Sequence, residues 1–377
     1  MRNKRSDVKK TKKKNMDTKN QQRLNNLLRM VAQQDASDLH LVIGRHPTLR
    51  IDGKLVPITK EEVLSPEDTK ALAEVMLSEQ NKKDLINEGY VDFSHSFEGK
   101  ARFRTNVYFQ RGYVSVAMRL ISSRIRTLEE LNMPPILYNF TKYKQGLVLI
   151  TGPVGHGKST TLAALIDHIN HNRDAHVMTI EDPIEYVYEQ DRCIINQREV
   201  GQDAKTFGGA LKSVFREDAN VVLIGEMRDY ETIGTTLTAA ETGHLIFGTL
   251  HTNDAAQTVD RIIDVFPAHQ QNQVRSQLAN VLVGVVAQRL VPQVGGGRVP
   301  AVEIMLKNTA IENLIRENKS YQIDTVIETS LREGMVSLDK SLADLLQQGL
   351  ITIDDAYNFA KNKDYVKMLV HGRESEQ

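Results

Sequence analysis

Gly152-Pro153-Val154-Gly155-His156-Gly157-Lys158-Ser159, with Thr160 behind it, follows the pattern G-x-x-x-x-G-K-[ST] and decides how the rest of the chain is read. An apolar run, Leu147 to Ile150, stands directly before it, and the helix-prone stretch Thr160 to His168 directly after it. A phosphate-binding loop needs that strand–loop–helix context. Its glycines let backbone N–H groups turn inward at a helix N-terminus, where the helix dipole also favours an anion. In such a loop Lys158 reaches the β- and γ-phosphates of ATP, and Ser159 ligates Mg2+. His156 is an unusual occupant of a position that only has to turn, and it is expected as a tolerated side chain at the loop surface.

Hydrolysis also needs acids at the C-terminal ends of neighbouring strands, to hold Mg2+ and to orient water. Two acidic clusters follow the loop. Thr179-Ile180-Glu181-Asp182-Pro183-Ile184-Glu185 closes one apolar run, and Val221-Val222-Leu223-Ile224-Gly225-Glu226 closes another. Glu226 is the candidate for Mg2+ coordination or water activation and Glu185 for the other of those roles; the sequence leaves their division of labour open. Glu181 and Asp182 would serve equally as helix caps or surface ion-pair partners. A third run, Gly243 to Asn253, carries a strand into His251 and Thr252. His251 is expected as a sensor of the γ-phosphate, with His244 as a second candidate.

Working outward, apolar strands alternate with amphipathic helices from Gly146 to Thr249, the pattern of a doubly wound, mostly parallel α/β sheet. A Gly295-Gly296-Gly297 loop separates two further apparent strands, Ala287 to Val291 and Val299 to Met305, in a region otherwise helical to the end. Upstream, Leu24, Leu27, Leu28 and Val31 recur at helical spacing, short alternating strands follow, and Ser65-Pro66 starts a second helix. The expected division is a disordered basic tail over 1–20, an α+β domain over 21–121, a linker containing Pro134-Pro135 over 122–139, and the ATPase domain with its C-terminal helices over 140–377.

The composition fits a folded globular protein: of 377 residues, 40% are hydrophobic and 25% charged, with no net formal charge. One cysteine, Cys193, builds neither an internal disulfide nor a four-ligand zinc site, and no apolar run is long enough for a membrane span. A cytoplasmic protein that meets the membrane through partners is expected. The basic residues between Arg2 and Lys19 are read as a solvated tail. A nucleic-acid motor would use the same P-loop, but aromatic and basic residues do not interleave as base-stacking surfaces require. A nucleotide-binding subunit without turnover is the other rival, and the two acidic clusters argue against it.

P-loop, acidic segment, Gly225-Glu226 and Gly243 to Thr252, in that order, resemble the Walker A, Asp box, Walker B and His box of the secretion ATPases. Within them the chain is most similar to the retraction ATPases of type IV pili, on Ala36-Ser37-Asp38-Leu39-His40-Leu41, Asn196 to Gly201 and Arg261 to Pro267. Ala310-Ile311-Glu312-Asn313-Leu314-Ile315-Arg316-Glu317 resembles the segment those motors need for retraction, with Glu312 where they carry arginine. The resemblance implies a RecA-like ATPase domain preceded by a PAS-like domain. It also implies a homohexamer that takes ATP and Mg2+ and acts on an inner-membrane platform protein at the inner face of the cytoplasmic membrane. Arginines of the N-terminal domain reach the nucleotide in that family. Of Arg102, Arg104, Arg111 and Arg119 here, Arg104 and Arg119 lie on strands and are expected as arginine fingers. The alternative is an accessory retraction paralogue or another secretion-system ATPase.

Overall fold

The computed structural model describes residues 2–34, 36–51, 53–98, 101–121 and 124–371, the side chains of residues 2–17 and 371 excepted. The chain divides into two compact units, Met1–Arg124 with Glu185–Val187, and Ile125–Ile184 with Tyr188–Gln377.

The first unit opens on α1 (Arg2–Gln33). Leu24, Leu27, Leu28 and Val31 are fully buried, so the apolar stripe read from their spacing does face a core. Residues 2–20 of the basic stretch expected as a disordered tail belong to this helix, and most of their side chains lie outside the described residues. The strands are β1 (Asp38–Leu41), β2 (Thr48–Ile51), β3 (Lys54–Pro57), β4 (Tyr90–Phe97), β5 (Ala101–Gln110) and β6 (Tyr113–Ile121), with α2 (Pro66–Glu74) and α3 (Glu79–Glu88) between β3 and β4. They form one antiparallel sheet in the order β3-β2-β1-β6-β5-β4. Helix α2 starts on a reciprocal cap: Ser65 Oγ accepts from Asp68 N at 3.1 Å, and Ser65 N donates to Asp68 Oδ2 at 3.0 Å. Helix α3 escapes the sequence reading because it buries only Leu85 and so has no apolar period.

In the second unit the elements are β7 (Gly146–Thr151), α4 (Lys158–Asn172), β8 (His176–Glu181), β9 (Ile194–Glu199), α5 (Phe207–Val214), β10 (Val221–Ile224), α6 (Tyr230–Glu241), β11 (Leu245–Leu250), α7 (Ala255–Asp264), α8 (Ala268–Val281), β12 (Leu282–Pro292) and β13 (Arg298–Leu306). Five helices complete it: α9 (Thr309–Arg316), α10 (Ile323–Thr329), α11 (Leu338–Gln347), α12 (Ile353–Phe359) and α13 (Lys363–His371). The sheet runs β13-β12-β7-β11-β10-β8-β9, parallel throughout except for β13, which pairs antiparallel with β12 at the edge. Every residue of β7, β10 and β11 is buried, as in strands covered on both faces.

Two elements differ from expectation. Strand β12 begins at Leu282 rather than Ala287, because the apolar run continues out of α8 with no turn residue to mark the change. Strand β9 is polar and shows no alternation. The stretch expected as a linker, 122–139, joins the second unit from residue 125, where Leu128, Met133 and Leu137 are buried. Helices α11 to α13 pack their own cluster, including Leu338, Leu342 and Val366, on Val291, Val299 and Ala301 of the β12–β13 hairpin. No helix among the described residues is long and apolar enough to cross a membrane.

Candidate active site

Parallel register brings the motif residues to one edge of the second sheet. Leu250 lies opposite Thr151 and Ile224 opposite Gly248. The chain therefore leaves β7, β11 and β10 for Gly152, His251 and Glu226 along the same C-terminal edge, where doubly wound sheets bind ligands. The loop from Gly152 turns through left-handed glycines, Gly152 (φ 137°), Gly155 (φ 77°) and Gly157 (φ 85°). At Gly152 a Cβ would also lie 2.3 Å from Gln288 O, so the position excludes any side chain. Gly157 caps α4 without a side-chain hydrogen bond, and the helix starts with its first amides turned to the loop's interior. Pro153 is half-buried, Val154 exposed at the tip, and Ser159 and Thr160 half-buried on the first turn of α4.

Lys158, His251 and Glu226 form a continuous chain. Lys158 Nζ donates to Gly152 O at 2.8 Å and Pro153 O at 3.0 Å, and lies 3.3 Å from His251 Nδ1. His251 Nε2 lies 3.1 Å from Glu226 Oε1. An ammonium only donates, so Nδ1 is the acceptor and Nε2 carries the hydrogen given to the carboxylate. Arg228 Nε also donates to Glu226 Oε1, and this bond raises the arginine's pKa. Thr249 Oγ1 donates to Gly225 O and Met227 N to Thr249 O at 3.1 Å, so the Glu226 segment is tied to β11, the strand that delivers His251.

Both contacts of Glu226 fall on Oε1, and Oε2 meets no hydrogen-bond or ion-pair partner among the described residues. A carboxylate oxygen without a protein partner suits Mg2+, which takes one or two protein oxygens and completes its shell with phosphate and water. No cluster of three acidic, histidine or cysteine side chains that would form an all-protein metal cage stands among the described residues. Glu181, at the end of β8, accepts from Thr179 Oγ1 at 2.6 Å.

Three other predicted residues fall in the first unit. Glu185 belongs to the segment grouped there, is exposed, and has Oε1 3.8 Å from Arg104 Nη1. Arg104 of β5 and Arg119 of β6 are directly opposite in register and so share one face of the first sheet. Arg119 Nε donates to Asp38 Oδ1 at 2.9 Å while the side chain stays 70% exposed. Arg111 occupies a left-handed hairpin turn with Gly112 (φ 52° and 82°).

His156 corrects the sequence reading. It is not a bystander at the loop surface: its Nδ1 accepts from Leu290 N at 2.9 Å. Burial, with Arg289, Arg298 and Lys158 around it, holds the imidazole below its ordinary 6.5. Gln288 Oε1 accepts from Thr161 Oγ1 at 2.8 Å, and Arg298 Nη1 donates to Gly155 O at 3.2 Å. These β12 and β13 residues carry no motif of their own. His244 sits at the opposite end of β11, six strand residues from His251, with Nδ1 3.1 Å from Ala239 O and Phe215 against its ring.

Comparison with known proteins places this geometry. The model of the type II/IV secretion system protein family matches residues 13–296. The type IV pilus retraction ATPase PilT of Pseudomonas aeruginosa is 46% identical over 335 residues, 89% of this chain and 97% of that protein. A twitching motility protein of Neisseria gonorrhoeae is 46% identical over 84% of this chain and 85% of its own length. Among solved structures, the pilus retraction motor PilT with bound ADP superposes with a TM-score of 0.84 at 46% identity, covering 91% of this chain and 98% of that one. A family match over more than half the sequence and relatives of this identity make the chain a member of the type II/IV secretion system protein family.

Proposed function

We propose that this chain is an ATP hydrolase that works as a homohexameric motor, powering type IV pilus retraction from the inner face of the cytoplasmic membrane. The unbroken line from the P-loop Lys158 through His251 to Glu226, in a protein 46% identical to a pilus retraction ATPase, carries the reading. Loop amides and Lys158 bind the phosphates of ATP, and the lysine exchanges the carbonyls of Gly152 and Pro153 for phosphate oxygens. The hydrogen on His251 Nε2 is the one this imidazole has to offer a γ-phosphate. When the γ-phosphate accepts that hydrogen bond instead, Glu226 Oε1 keeps Arg228, is released by His251 and can accept a hydrogen bond from the attacking water. Sensing and activation are thereby coupled in one side chain.

Water then attacks the γ-phosphorus, the bond to the β-bridging oxygen breaks, and the proton passes to Glu226 or Glu185 as ADP and phosphate form. Ser159 and Glu226 Oε2 would hold Mg2+, which when bound neutralises charge on the β- and γ-oxygens. Arg104 and Arg119 reach the phosphates of a neighbouring subunit as arginine fingers. Cleft closure and product release around the ring move the inner-membrane platform protein.

Glu312 favours a second reading, an accessory paralogue of the principal retraction motor. It stands where the retraction segment has arginine and is already engaged, 3.4 Å from Lys307 Nζ and 3.1 Å from Arg316 Nη2. The test is steady-state ATP turnover together with complementation of a retraction-deficient strain, scored by pilus length. Wild type restores short pili, Glu226→Gln and Lys158→Ala lose turnover by at least about 10²-fold, and neither restores retraction. Normal turnover in Lys158→Ala would refute the P-loop assignment. Full turnover without restored retraction would select the accessory role.

A further inference from the structure

Strand β12 outruns the strand beside it. Its parallel pairing with β7 ends at Ala287 opposite Thr151, yet β12 continues to Pro292. Along a strand the N–H and C=O of one residue point to the same edge and alternate with those of the next. Gln288 and Leu290 thus turn their backbone groups toward the space β7 has vacated. The P-loop fills the vacated edge. Gln288 O is the atom that a Cβ on Gly152 would strike, and Gln288 Nε2 would be 2.9 Å from a Cβ on Gly157. Leu290 N–H donates to His156 Nδ1 at 2.9 Å.

We infer that His156 is a positioning residue for nucleotide binding: its Nδ1 takes the place of the missing strand partner of Leu290 and fixes the P-loop on β12. Three features support this. The residues on either side of His156 are left-handed glycines, so the loop's own backbone preferences do not set its shape and an outside anchor must. The anchor is reinforced at both flanks, by Arg298 on Gly155 O and by Gln288 on Thr161. Finally, burial and then the charges of Arg289, Arg298 and Lys158 all disfavour protonation of the ring, which keeps the acceptor lone pair available.

The inference rests on the P-loop as the nucleotide site, and the test separates the two. Affinity for a fluorescent ADP analogue is measured at pH 8 in wild type, His156→Ala, His156→Asn, His156→Gln and Lys158→Ala, alongside the melting temperature of each. Asparagine places Oδ1 where Nδ1 stands; glutamine puts its acceptor one bond further out. Loss of the acceptor weakens binding about tenfold in His156→Ala and His156→Gln, and His156→Asn returns to within about twofold of wild type. The melting temperatures of the three stay together. Wild-type affinity in His156→Ala, or His156→Asn no better than His156→Gln, would overturn the inference. Wild-type affinity in Lys158→Ala would instead remove the P-loop reading beneath it. If His156→Ala does not fold, the asparagine–glutamine pair decides alone.

Discussion

His251 owes its tautomer to its two neighbours: a lysine that only donates on Nδ1 and a carboxylate that only accepts on Nε2. A sensor wired in this way should act on the chemical step more than on binding. His251→Ala is therefore expected to leave ADP affinity within about threefold of wild type while lowering kcat about 10²-fold. Paired equilibrium binding and turnover measurements read the split, and equal losses in both would place His251 in binding alone. The same residue shows what was legible beforehand. Lys158 is legible through the glycine-loop motif behind one apolar strand, and Glu226 and His251 because each directly follows another, and parallel register brings such strand ends together. The role of His156 is not legible in the sequence because its partner is a backbone N–H 134 residues further along, which no side-chain motif records.

Among the elements, the β12–β13 hairpin joins regions that the sequence keeps apart. One end holds the P-loop, and Glu303 of β13 holds the start of α7, three residues past Thr252, by accepting from Ala255 N at 2.8 Å. Glu303 is almost fully buried and is paired at 2.8 Å with Lys361, which lies just before α13. Lys361 also approaches Asp324 at 3.2 Å and Asp254 at 3.7 Å. Burial pushes the Glu303 carboxyl above its ordinary 4.5 against the pull of Lys361. A raised carboxyl pKa adds stability below the unfolded value that is lost as pH rises through the folded one. Lys361→Met removes the countercharge and should destabilise the second unit by about 2 kcal/mol at pH 8, a value reduced for the partial exposure of the lysine. The deficit should shrink toward pH 5, where Glu303 can take a proton. Denaturant unfolding at the two pH values checks this, and a deficit larger at pH 5 would contradict it. The C-terminal part of α1, with Leu24, Leu27, Leu28 and Val31, and the continuous apolar run of β7 are legible in the sequence. The polar β9, the sparsely buried α3 and the α8–β12 junction are not, because burial in each is set by tertiary partners rather than by a local pattern.

At the scale of the whole molecule, two units with separate cores carry complementary halves of the proposed chemistry. The second supplies Lys158, His251 and Glu226; the first presents Arg104 and Arg119 on one sheet face, with Arg119 tethered to Asp38 yet largely exposed. In the proposed motor a ring of these chains hydrolyses ATP at sites completed by a neighbour. Trans-complementation measures it most directly: ATP turnover of a Lys158→Ala chain, of an Arg104→Ala/Arg119→Ala chain, and of the two mixed under conditions that allow subunit exchange. Each parent should be nearly inactive, and the mixture should regain turnover well above the sum of the two, because some interfaces then pair an intact Lys158 with intact arginines. A mixture no more active than the sum of its parents, or an arginine-deficient chain as active as wild type, would contradict the account.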